Sequence, residues 1–481
     1  MKRTITFLLA LTMLFTLTAC DGTKEEADTS LDSDRGFIHY GGTMSEVCAT
    51  EDTVYFTSGE LVHYYDKASG ISGILCGKPE CEHSTANGSG CNAYINSSSD
   101  DLCVYNNRLY WISGSYPKAI CSMALDGTDH RTERTLKENE VYTSHHGLNS
   151  AIFHRGCAYI WVLNYRIRDG REIGYLELAE VPLDPDEEIR VIFSEELDTY
   201  TVSWSFWLTI QAYGDDVYIL MSLPVGSSDG DPESYPDIYD FQIRRYDIQA
   251  QELATLYHDS QSHIWYNVEM WAMDDGLLFM GEEKLSDSST RWIYKLDFES
   301  GELTAVFEPV PGAVAMAEGL VVSSRYDYKK SNPTNPWGMT FAPQDIERTV
   351  EFYVCLQNFS GDVLFEDTYH LEGYYQMPSF CGADDTYAYF FDSANYNDED
   401  SSTDYMSLIG VALDGSGMEV LCDEEEYYVY LRSDHHSTEA MTLDDGTTVV
   451  VEDGKKITVT TPDGETVTMT VEELLENGWQ P

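Results

Sequence analysis

The stretch DDTYAYFF, residues 384–391, sets two acidic residues directly before a short run of aromatic and aliphatic residues. Aspartate pairs suit tight turns because the side chain bonds its own backbone, and Tyr, Phe and Ala in succession suit a strand half-buried on a pleated surface. The same junction recurs along the chain. Glu51-Asp52 precedes Val54-Tyr55-Phe56, Asn106-Asn107 precedes Leu109-Tyr110-Trp111, and Gly214-Asp215-Asp216 precedes Val217-Tyr218. Asp274-Asp275-Gly276, Glu318-Gly319 and, in a variant form, Arg155-Gly156 stand before the remaining copies.

Each copy is answered downstream by a second strand that ends in a turn acid or amide, as in Tyr65-Asp66, Leu125-Asp126-Gly127, Leu183-Asp184 and Tyr246-Asp247. Leu296-Asp297, Leu356 to Asn358 and Leu413-Asp414-Gly415 complete the set. Repeats made of strand and turn alone, at a spacing of about 40–70 residues, are what a β-propeller requires. The expectation is an all-β propeller with seven four-stranded blades over residues 37–437. A fainter copy in Asp444-Asp445-Gly446, Val449 to Val451 and Pro462-Asp463-Gly464 places a degenerate eighth blade, or else a hairpin tail, over 438–481. With strands A to D in each blade, the A–B and C–D turns are short. The insertions, at 164–174, 223–240, 326–350 and 392–406, all fall between B and C, so one face of the ring is elaborated.

The N-terminus reads as a leader. Lys2 and Arg3 precede an apolar run from Ile5 to Leu17, which stops at Leu17-Thr18-Ala19-Cys20. A basic start, a short apolar core and a small-residue stop are the pattern of a secretory signal peptide, here over 1–19. The apolar run is shorter than a transmembrane helix needs. Residues 20–36, which include DGTKEEADTSLDSDRG, offer almost nothing to bury and read as a solvated tether.

The lipobox-like Leu17-Thr18-Ala19-Cys20, the acidic tether and the repeats of the form Asp-Asp-x-x-Tyr-Phe followed by Leu-Asp-Gly together resemble bacterial surface lipoproteins with TolB-type or WD40-like propeller repeats, known from Gram-positive anaerobes. The resemblance covers the chain from about Gly36 onward and implies a propeller fold, acylation of Cys20 and attachment outside the cytoplasm through that lipid. Two acyl chains would hold such a body at a membrane firmly. The motifs identify a fold rather than an activity.

Composition narrows the partners. The chain has 28 Lys and Arg against 84 Asp and Glu, for a formal net charge of −56. That field repels nucleic acid, whose binding needs a basic patch, and no cationic run exceeds Arg244-Arg245 or Lys329-Lys330. The acidity keeps the protein soluble and separated from neighbours, and it is also compatible with calcium or another divalent cation.

Within residues 76–91, CGKPECEHSTANGSGC, Cys76, Cys81, His83 and Cys91 form a Cys3His set with zinc-type donors at the unusual spacing C-x4-C-x-H-x7-C. An exported protein favours disulfides, and the ten cysteines after Cys20 are even in number, so the compartment ranks the disulfide reading ahead of a metal site with this spacing. Both readings stand, disulfide or structural zinc. Cys48 and Cys103 occupy equivalent inner-strand positions and read as small core residues. The oxygen-rich Asn395-Tyr396-Asn397-Asp398-Glu399-Asp400 could hold calcium but lacks the alternation and glycine of an EF-hand loop.

Catalytic signals are thin. Gly226-Ser227-Ser228-Asp229-Gly230 matches G-x-S-x-G, yet prolines flank it where a nucleophile elbow needs a strand and a helix. His145-His146 and His435-His436 read as exposed loop pairs. No metalloprotease, P-loop or dinucleotide fingerprint is present. Tyr235, Tyr239, Trp337, Phe341 and Tyr396 fall in the long insertions, where aromatic rings stack on sugars or anchor peptides. The resulting expectation is a membrane-anchored extracytoplasmic binding or scaffold module for a carbohydrate, peptide or protein partner. The alternatives are a surface enzyme acting on carbohydrate or peptide, or an extracytoplasmic sensor or assembly partner.

Overall fold

Seven antiparallel four-stranded meanders stand side by side and close into a ring, a seven-bladed β-propeller without helices among the described residues. The structure is a computed structural model that describes residues 47–470, apart from connecting segments of which the longest are 137–150, 198–206, 227–235, 329–347 and 430–438. The signal, Cys20 and the tether therefore lie outside the described residues, as do His145-His146 and His435-His436.

Every blade is paired in chain order. In blade 1 the inner strand A, Val47–Ala49, pairs with B, Thr53–Ser58, then C, Leu61–Asp66, and D, Ile71–Ile74. Blade 7 repeats this with Ser379–Ala383, Tyr387–Asn397, Ser401–Ala412 and Met418–Val429. Blade 5 departs slightly, because its inner strand is split into Ile264–Tyr266 and Met270–Met273, both paired with Gly276–Leu285.

The repeat signature performs the turn chemistry expected of it. Asp66 Oδ1 accepts from the Ser69 backbone N–H at 2.7 Å, Asp297 Oδ1 from Ser300 at 2.8 Å, and Asp414 Oδ1 from Ser416 at 2.8 Å. At the A–B turn of blade 2, Asn106 and Asn107 both have positive φ, 44° and 57°, the geometry of a two-residue turn matched to strand twist. Arg155 and Gly156 make the equivalent turn in blade 3 at 48° and 75°.

The core lies between blades rather than within them. Leu109, Trp111 and Met123 of blade 2 pack against Tyr55, Leu61 and Val62 of blade 1. Phe153 and Ile160 of blade 3 pack on Tyr105 and Tyr110 of blade 2, and further clusters join blade 3 to 4, 4 to 5, and 5 through 7. The last cluster decides the blade number. Val54, Phe56 and Tyr65 of blade 1 pack directly against Tyr389, Phe391, Leu408 and Cys422 of blade 7. Residues 439–470 do form the expected four-stranded meander, Glu439–Thr442, Thr448–Glu452, Lys456–Thr460 and Thr466–Thr470. The ring closes without it, so this sheet is not an eighth blade.

Residues 164–168 with 171–174, and 392–397 with 401–406, are not loops laid over the ring but continuations of the B and C strands: Cys157–Arg168 pairs with Arg171–Pro182, and Tyr387–Asn397 with Ser401–Ala412, in unbroken register. The pairing runs on without a bulge in both hairpins, so the B–C end of these blades carries extended β-hairpins.

Candidate metal centre

Strand D of blade 1 ends at Ile74, and the chain does not swing freely to blade 2. The Leu75 N–H donates to Val62 O at 2.9 Å, and the Val62 N–H donates to Ala93 O at 2.9 Å, so both ends of the connection are pinned to one strand. Blade 2 holds it from the other side. His130 Nε2 donates to Asn92 O at 2.8 Å, and Leu75 presses on the C–D turn at Gly127, where an added Cβ would lie 2.3 Å from Leu75 O. With φ at 77°, Gly127 is required both for the turn and for this approach.

Inside this frame Cys76, Cys81, His83 and Cys91 converge, with one donor atom from each lying within 4.8 Å of all the others. His83 Nδ1 is 3.6 Å from Cys91 Sγ. Zinc–sulfur bonds of about 2.3 Å and a zinc–nitrogen bond of about 2.05 Å at the tetrahedral angle put sulfur and nitrogen about 3.6 Å apart, so this edge has the length a shared zinc ion sets. No sulfur pair is bonded: all ten described cysteines are free thiols. Of the two readings of the loop, the arrangement has the form of the metal one.

The surroundings are those of a thiolate site. Burial opposes ionisation of Cys76, but the backbone N–H groups of Lys78 and Asn92 point at its sulfur and, with the neighbouring thiols of Cys81 and Cys91, hold its pKa below the ordinary thiol value. Cys91 accepts from the Ala93 N–H, yet burial together with Cys81 and Cys76 pushes it up to about 11. Crowded sulfurs that cannot all ionise together are stabilised by a divalent cation among them. The Lys78 ammonium folds back to Gly90 O at 2.5 Å, which places one positive charge beside the cluster. His83 itself sits at φ 53°, a left-handed position uncommon for a side-chain-bearing residue, and this turns its ring toward Cys91.

The other sequence candidates do not assemble a site. Tyr239 is buried, 3% exposed, and its hydroxyl donates to Pro236 O at 3.0 Å, so it is a core residue of blade 4 and not a binding-face aromatic. The reason is the strand continuation: Ile238–Asp247 carries Tyr239 into the sheet. Tyr235, Trp337 and Phe341 lie outside the described residues. Tyr396 is in strand B of blade 7, opposite Thr403. Of the oxygen-rich stretch, Asn395–Asn397 belong to that same strand, and 398–400 lie outside the described residues. Arg244 and Arg245 are consumed by ion pairs with Glu195 at 2.6 Å and Asp216 at 3.7 Å.

A set of inter-blade latches escaped the sequence reading. The last residue of strand A reaches the A–B turn of the next blade three times in succession. Tyr105 Oη accepts from Gly156 N–H at 2.7 Å, His154 Nε2 donates to Gly214 O at 2.7 Å, and the Tyr213 hydroxyl donates to Asp274 Oδ1 at 2.8 Å. A hydrogen-bonding aromatic or imidazole directly before the turn, where Met273, Ala317 and Ala383 stand in other blades, was the available signal. Buried Arg134 adds a clamp, donating from blade 2 to the Pro182, Asp184 and Glu187 carbonyls of blade 3 at 2.9–3.0 Å.

No protein-family model matches the chain, and no curated protein matches it. Among solved structures it is similar to one described in a structural and mechanistic analysis of two prolyl endopeptidases, at 9% identity over 89% of this chain and 56% of that one, with a TM-score of 0.40. It is also similar to the acylaminoacyl peptidase of Pyrococcus horikoshii, at 11% identity over 87% and 59%, with a TM-score of 0.42. The β-propeller domain of the Trilobed protease from Pyrococcus furiosus is 13% identical over 66% of this chain and 80% of that domain, with a TM-score of 0.28. The chain spans a little over half the length of the first two, and no activity is carried over from any of them.

Proposed function

We propose that this chain is a membrane-anchored, extracytoplasmic propeller that serves as a binding or scaffold module for a carbohydrate, peptide or protein partner, with its first inter-blade connection stapled by zinc. The observation that carries the staple is the convergence of Cys76, Cys81, His83 and Cys91 within a connection pinned to blade 1 and blade 2. Four protein donors complete a tetrahedral shell, which is the pattern of a structural zinc and leaves no open position for substrate. The metal holds the seam between the first two blades while the hairpins at the B–C end remain free to meet a partner.

Two measurements test the reading. Protein purified under reducing conditions should carry one equivalent of zinc by elemental analysis, and His83→Ala should lower its zinc affinity at least tenfold in a chelator competition; wild-type protein that takes up no zinc would sink the staple. For the anchor, Cys20→Ala should shift the protein from the detergent phase to the aqueous phase. Equal partitioning of mutant and wild type refutes it.

A further inference from the structure

Ten described cysteines are free, but they are not alike. Cys48, Cys103, Cys355 and Cys422 are buried, whereas Cys121, Cys157 and Cys381 are half-buried and stand on three different blades. Cys76, Cys81 and Cys91 combine partial exposure with sulfurs that all lie within 4.8 Å of one another. A disulfide needs sulfurs at about 2.05 Å. Bringing two of these together takes a shift of less than about 3 Å from that separation, within a connection whose ends are already fixed by the Leu75–Val62 and Val62–Ala93 hydrogen bonds.

We propose that the loop alternates between two cross-links: a zinc ion held by all four donors while the thiols are reduced, and a Cys–Cys bridge formed when a peroxide-class oxidant acts on it. The inference rests on the zinc reading of the same residues and adds its regulation. One zinc-bound thiolate attacks the peroxide O–O bond, which breaks; the sulfur becomes a sulfenic acid and the departing hydroxide takes a proton to leave as water. A second thiolate then displaces hydroxide from that sulfur, the S–S bond forms, and a second proton converts the hydroxide to water. Two electrons pass from the two sulfurs to the peroxide, which is reduced to two waters. One thiol and His83 remain, and two donors are too few to hold zinc in a closed tetrahedral shell, so the ion leaves.

The geometry gives this exchange a particular outcome. Because the metal and the bridge both close the connection between blades 1 and 2, that connection stays cross-linked in both states, and what changes is its dependence on metal. An exported propeller built in this way tolerates both reducing and oxidising surroundings.

The test uses the whole purified chain, loaded with zinc under reducing conditions and titrated with hydrogen peroxide in the presence of a chromophoric zinc chelator. The expected result is loss of one equivalent of zinc per bridge formed among Cys76, Cys81 and Cys91 in nonreducing peptide mass spectra, with zinc uptake restored by a dithiol reductant. EDTA should lower the melting temperature of the reduced protein by several degrees and leave that of the oxidised protein unchanged. A reduced protein that binds no zinc overturns the zinc reading and this inference with it. A protein that binds zinc but retains it through oxidation, or releases it as sulfinic acids without a bridge, overturns this inference alone.

Discussion

Asp384 concentrates the logic of the fold into one side chain. It belongs to the repeat's acidic turn, where Oδ1 accepts from the Thr386 and Tyr387 backbone N–H groups at 2.7 and 2.9 Å. Its other oxygen faces blade 1, taking the Lys67 ammonium at 2.5 Å and the Tyr389 hydroxyl at 2.5 Å. Lys67 also donates to Thr50 O at 2.7 Å, so this pair ties blade 7 to two turns of blade 1 across a sequence separation of 317 residues. Burial raises the Asp384 pKa, but Lys67, Tyr389 and the turn N–H groups outweigh it and hold the carboxyl below its usual value. A folded-state pKa below the unfolded one stabilises the fold at pH above the ordinary aspartate value of about 3.9, and that contribution is lost as pH falls through the lower folded value. Asp384→Asn should therefore cost about 1–2 kcal/mol at neutral pH, with the melting curves of mutant and wild type converging in acid. A difference that stays constant from pH 7 to pH 2.5 would show that the charge does no work at the closure.

At the scale of the strand, the latches explain how short inner strands stay in place. Strand A of blade 3, Ala151–His154, has only four residues, and its own pairing with blade 3 cannot fix its position against blade 4. Buried His154 does so through the Gly214 carbonyl. His154→Leu removes that bond and strands a carbonyl donorless in the seam, which should cost about 1–3 kcal/mol in urea unfolding, while Met273→Leu at the equivalent place in blade 5 should stay within about 1.5 kcal/mol of wild type. Strands and turns were legible from Asp, Asn and Gly spacing because turn chemistry is local. The convergence of Cys76, Cys81, His83 and Cys91 was legible as donor type but not as geometry, since it depends on Val62 and His130 pinning the loop from two blades. Tyr239 was misread for a related reason. An insertion counted in residues looks the same whether it becomes a loop or, as here, a continued strand.

At the scale of the whole molecule, the question is how a ring knows where to end. A chain of equivalent meanders offers no internal reason to stop at seven, and residues 439–470 supply an eighth sheet of the same topology. What ends the ring is specific complementarity at one seam. Phe56 meets Phe391 with ring centroids 5.6 Å apart, Val54 and Tyr65 pack around Leu408 and Cys422, and Lys67 reaches Asp384 at the edge. An eighth blade inserted there would have to separate all of these contacts. A chain ending at residue 437 should accordingly keep the propeller intact, with a single cooperative unfolding transition and a melting temperature within about 5 °C of the full-length protein, because no inter-blade cluster is lost. A chain ending at residue 377, which removes blade 7, should instead expose both halves of the closing cluster and aggregate or unfold broadly. If the shorter deletion also abolished the cooperative transition, the terminal sheet would be a structural part of the ring and the seven-blade closure would be refuted.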